Sequence, residues 1–276
     1  MGASGSGSRA APAAVALAAV IAGALGMPLG AWAAPHSLGL QGALVAGELA
    51  LAGPSLLALV ALRRLLPPGA LALRPMGPAH ALLALACGVA LWLASLGLVG
   101  LQQTVWPPPE GYLEAFARLH EMLAPKTPAA ALLALLTIAV APAVCEELVF
   151  RGVAQPGLRP LLGRHGALVA SAFLFGLIHL DLAPSGLTAW RVPFAIGVGL
   201  GLGALRERAG GLLPCVAAHA GLNALTWSLV AVLGAEPDAA GPEPGPALAA
   251  LVAGGLTFAL LLRRSWRAAA PATRLD

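Results

Sequence analysis

Apolar stretches long enough to cross a bilayer recur along the whole chain, and no other feature restricts its folding so strongly. A hydrocarbon layer of ~30 Å takes roughly 20 residues at helical rise. Such stretches lie near residues 11–33, 39–62, 79–101, 129–150, 166–180, 192–205, 211–233 and 246–262, the fifth and sixth being short. Leucine and alanine dominate them, and the polar/apolar alternation of a membrane β-barrel is missing. Helices satisfy their own backbone in lipid. The expectation is an all-α, polytopic membrane helical bundle of about eight transmembrane helices. With 59% hydrophobic and 10% charged residues, the composition lies far from the globular balance.

Orientation follows from Lys and Arg, which concentrate in cytoplasmic segments. With the amino terminus inside, the inner segments hold Arg9, Arg63, Arg64, Arg74, Arg151, Arg159, Arg164, Arg206, Arg208, Arg263, Arg264, Arg267 and Arg274, about 13 of the 16 cations. The outer side keeps Arg118, Lys126 and Arg191, and its last loop carries Glu236, Asp238 and Glu243. This N-in/C-in arrangement makes the net charge of +4 a report of topology, so no nucleic-acid partner is expected. The first stretch also has signal-peptide features, with Arg9 before it and Ala31-Trp32-Ala33 near its end.

Three regions result: residues 1–128, with helices one to three and an outer interfacial segment; 129–233, with helices four to seven; and 234–276, with the last helix and a basic cytoplasmic tail. In the first, residues 110–125 are amphipathic and Trp106 is a candidate interfacial anchor. Cys87, Cys145 and Cys215 lie in apolar stretches and read as small hydrophobes. The glycines of 197–203 allow close helix packing.

Ionisable residues inside spanning helices are functional candidates by default. The fourth helix carries Glu146-Glu147 with Arg151 one turn beyond. Glu147 and Arg151 are i, i+4 partners in the favourable order, which leaves Glu146, pointing about 100° away, free to act as a general base. Pro142 is expected to kink the helix just before the acids. His179 lies on the fifth helix, and His219 and Asn223 share a face of the seventh. Together these groups supply a water-activating base, a proton shuttle and an oxyanion donor. The same donor types suit zinc, with His179, His219 and Glu146 as ligands, although no His-Glu-x-x-His helix exists. A Cys145 nucleophile is disfavoured by its apolar setting. His36, His80, His120 and His165 are expected to be solvated, and Glu48, well inside the second helix, has no assigned partner. On the spans as drawn, His179 lies deeper than Glu146 and His219, so the fifth helix must start later or tilt.

Glu146-Glu147-x-x-x-Arg151, Phe175-x-x-x-His179 and His219-x-x-x-Asn223, in this order, resemble the three motifs of the CAAX protease and bacteriocin-processing family of intramembrane endopeptidases. The resemblance covers roughly residues 129–230. It implies an eight-helix fold and peptide-bond hydrolysis inside the membrane, with Glu146 and His179 activating water. His219 and Asn223 would stabilise the oxyanion, and Glu147 with Arg151 would hold the site. A metal-free glutamate mechanism is favoured over zinc. The implied substrate is a protein or peptide cut near its carboxyl end or beside a hydrophobic anchor. The Ala/Gly/Leu/Arg-rich composition suggests a bacterial inner membrane, where a sorting-helix or secreted-peptide substrate, as for myxosortase-like members, fits better than a prenylated tail. The competing class is a non-hydrolytic transporter or immunity-type partner using the same buried groups.

Overall fold

The computed structural model describes residues 4–180, 187–232, 243–264 and 266. Arg267, Arg274, Glu236 and Asp238 of the charge map, and the side chain of Arg9, lie outside that description. Helix α1 is Ser4–Ala33, α2 Gly39–Ala61, α3 Pro78–Val105 and α4 Tyr112–Met122. A continuous helical stretch, Pro128–Leu177, follows. It divides at Gly163, whose φ of 70° and ψ of −177° only glycine adopts readily, into α5 (residues 128–162) and α6 (164–177). Helices α7 (Val192–Ala209), α8 (Leu213–Trp227, prolonged by a wide turn Ser228–Val232) and α9 (Pro244–Leu262) follow among the described residues. No strand occurs among the described residues.

Among the described residues six helical stretches are long and apolar enough to cross a membrane. The difference from eight has two causes. The fourth and fifth expected spans form one stretch bent at Gly163, and α7 ends in Arg206, Glu207 and Arg208, which lower its apolar character. The fourth helix also does not stop near Phe150 but runs on to residue 162. Glu146 therefore lies roughly 24 Å from that end of α5, which removes the mismatch in depth between the acids and His179.

The surface has the inverted polarity of a lipid-facing bundle. Leu25, Leu57, Leu82, Leu132 and Leu256 are all exposed, whereas Glu147 and Arg151 are completely buried. Association in lipid relies on close backbone approach. A Cβ at Gly97 would collide with Ala247 and Leu251, and one at Gly254 with Ala90 and Ala94, so α3 and α9 pack antiparallel through reciprocal glycines. Gly88 likewise admits Ala218 of α8. Inside lies one core of Leu51, Cys87, Val149, Phe150, Phe175, Leu202 and Leu222 among others.

Charged side chains fix the bend at Gly163. Arg159 before it and Arg164 after it both reach Glu207 Oε2 of α7, at 3.4 and 2.9 Å. Around the other long connection, Trp190 Nε1 donates to the Trp106 carbonyl (2.8 Å) and its ring packs on Tyr112 at 4.9 Å. The amphipathic expectation for 110–125 becomes helix α4, docked by these aromatics. This corrects the solvated assignment of His120, which is buried and donates from Nδ1 to the Phe116 carbonyl (2.8 Å). His36 and His165 are exposed as expected, and His80 is half-buried beside Trp266.

Candidate active site

The acids sit in a helix that is locally widened on both sides. Pro142 has no N–H to give, and the turn before it opens so that Ala141 bonds to the Leu136 carbonyl five residues back. A second wide stretch, Leu148–Ala154, follows the acids. Such turns place carbonyls off the helical ladder and are frequent at functional sites. Here side chains from neighbouring helices use them: Ser171 Oγ donates to the Phe150 carbonyl (3.1 Å) and Arg206 Nε to the Arg151 carbonyl (3.2 Å). The kink expected at Pro142 is thus a pair of π-type turns bracketing Glu146 and Glu147.

The two glutamates have different surroundings. Glu147 Oε1 accepts from Arg151 Nη1 and from His219 Nδ1, both at 3.0 Å. Arg151 extends Nη2 to the Gly199 carbonyl of α7 (2.8 Å), and its guanidinium stacks over the Phe175 ring at 4.7 Å. A Cβ at Gly199 would stand 3.1 Å from Ala172, so glycine allows α7 to come close enough for that bond. Glu146 is buried, and its Oε2 has no hydrogen-bond partner among the described residues. The nearest basic nitrogen paired with it is His219 Nε2, at 3.8 Å.

The Phe175 ring separates the two histidines, its centroid 5.8 Å from His219 and 5.1 Å from His179. His179, just past the end of α6, donates from Nδ1 to the Phe175 carbonyl (2.9 Å), so the neutral ring keeps Nε2 as an acceptor. Asn223 follows His219 by one turn on the same face of α8 and is half-buried. The structure therefore gathers Glu146, Glu147, Arg151 and His219 in direct contact, with His179 one ring away.

Two further groups approach. Glu48, buried on α2 with Oε2 unpartnered, interacts electrostatically with Glu146, as does Arg191 at the start of α7. The intrahelical acid in a Leu/Ala-rich span was the one available signal for Glu48, whereas Arg191 gave none. Among the described residues no three His, Cys, Asp or Glu side chains form a group that could hold a metal, so His179, His219 and Glu146 offer no ready-made zinc site. All three cysteines are free and buried.

Residues 128–225 match the family model of type II CAAX prenyl endopeptidases, Rce1-like. The match contains every candidate side chain except Glu48. No curated protein and no solved structure matches the chain.

Proposed function

We propose, because this chain belongs to the CAAX protease family, that it hydrolyses a peptide bond of a membrane-anchored protein or peptide with water activated by Glu146. The observation that carries this reading is the contrast between two adjacent buried carboxylates: Glu147 Oε1 accepts from both Arg151 and His219, while Glu146 Oε2 has no hydrogen bond among the described residues and meets His219 Nε2 only at 3.8 Å.

In this mechanism Glu146 takes a proton from water as the oxygen attacks the scissile carbonyl carbon. His179 Nε2, an acceptor by virtue of the Phe175 bond, orients the same water. The carbonyl oxygen gains the negative charge and is met by His219 Nε2 and the Asn223 amide. With Nδ1 donating to Glu147, His219 offers a proton at Nε2 in its imidazolium form. Collapse breaks the C–N bond as Glu146 returns the proton to the departing amine. Arg151 balances Glu147 and ties it to α7 through Gly199, so the pair positions His219. No step is routed through a metal.

The substrate in this reading is cut near its carboxyl end or beside a hydrophobic anchor, since the site lies among helices apolar enough to span lipid. The test is mass spectrometry of a panel of anchored peptides incubated with the purified protein and with Glu146→Gln, each with and without chelator. Cleavage by the parent alone, insensitive to chelator, is expected. Equal cleavage by the variant would remove Glu146 from the mechanism, and loss on chelation with recovery by zinc would replace the metal-free scheme.

A further inference from the structure

A cavity of about 760 Å³, which none of Glu146, Glu147, His179 and His219 lines, is bounded by Arg74, Arg208, Arg263, Arg264, His80 and Trp266, the rest of its lining being Ala, Gly, Pro and Met. No carboxylate among the described residues lines it. The four arginines are exposed, and none forms an ion pair among the described residues. Arg208 uses Nε on the Leu262 carbonyl (2.7 Å), which ties the ends of α7 and α9 together and leaves its terminal nitrogens for a ligand. Gathering four guanidinium groups with no counter-charge among the described residues is unfavourable, and an anion entering among them relieves the repulsion. Guanidinium forks match phosphate oxygens in pairs.

The cavity's level in the bundle identifies the source of the anion. It opens where α3 begins at Pro78, α8 begins at Leu213 and α9 ends at Leu262, all three being apolar spans. That is the level at which helices leave the hydrocarbon and where lipid phosphates and tryptophan rings reside. Trp266 is buried there with its ring 6.3 Å from His80. Basic pockets between membrane helices at this depth suit anionic headgroups.

We propose that this cavity binds the phosphate headgroup of an anionic phospholipid. The full-length protein in neutral detergent, analysed by native mass spectrometry, is offered phosphatidylglycerol or phosphatidylcholine of identical chains. In a separate arm, inorganic phosphate is added and thermal stability is followed. Arg263 and Arg264 are exposed at the end of α9, so Arg263→Gln/Arg264→Gln spares the fold, and Arg118→Gln on α4 is the charge control. The parent and the Arg118 variant are expected to prefer phosphatidylglycerol by about tenfold or more, a preference largely lost in the double variant. Arg208→Gln is expected to weaken it as well. No preference, or one unaltered in the double variant, overturns the proposal. Stabilisation by inorganic phosphate with no lipid preference also overturns it, in favour of a soluble anion.

Discussion

His219 joins the two adjacent glutamates: Nδ1 donates to Glu147 at 3.0 Å while Nε2 stands 3.8 Å from Glu146. The same imidazole is thereby anchored on the carboxylate that Arg151 neutralises and aimed at Glu146, whose Oε2 accepts no hydrogen bond among the described residues. This separates the consequences of replacing the two acids.

Glu146→Gln is expected to reduce cleavage by about 10²–10⁴-fold, the range of a lost general base, with little loss of stability. Glu147→Gln leaves Arg151 buried without its counter-charge and is expected to destabilise the protein by about 3–5 kcal/mol. Thermal unfolding beside cleavage rates for both variants tests the contrast. Equal destabilisation of the two proteins would refute it.

Glu48 is a buried carboxylate with an unpartnered oxygen, near a second acid. Buried unpaired charge is unfavourable. Glu48→Gln is therefore expected to leave the melting temperature unchanged or raise it, against the usual tendency of buried substitutions to destabilise. A clear fall in melting temperature would mean that Glu48 holds a stabilising partner.

The reach of the sequence can be judged from these residues. Periodic apolar runs and the i, i+4 spacing of Glu147 and Arg151 are local signals, and the all-helical fold and the buried ion pair of 3.0 Å agree with them. The tie between His219 and Glu147 joins residues far apart in the chain, so spacing alone left the histidines' partners open. The end of α5 was misplaced because Arg151 and the charged residues beyond it resemble a membrane boundary, whereas tertiary bonds to Gly199 and Glu207 keep them inside a longer helix. Arg191 reads from the sequence only as an outer-loop cation, because nothing local ties it to an acid far away in the chain.

Gly163 carries the bend between α5 and α6 at a positive φ that side chains resist. Gly163→Ala is expected to destabilise by about 1–3 kcal/mol. Because Arg159 and Arg164 still converge on Glu207, the bend should be retained in the folded fraction. Chemical denaturation in detergent provides the value, and an unchanged midpoint would show that another backbone path serves equally well.

His120 links stability of α4 to pH. Burial disfavours its imidazolium, the hydrogen bond to Phe116 partly opposes this, and the positive Arg191 adds to it, so the ring is held below its ordinary value of 6.5. The unfolded segment then binds the proton more readily than the folded one. Stability from this group is complete above about pH 6.5 and is lost on acidification. Hydrogen exchange over Tyr112–Met122 should accelerate between pH 7.5 and 5.5 relative to His120→Gln measured at the same two values. Parallel behaviour of parent and variant would place the acid sensitivity of α4 elsewhere. A selective acceleration would mean that protonation releases the helix from the Trp190 and Tyr112 contacts that hold it against the bundle.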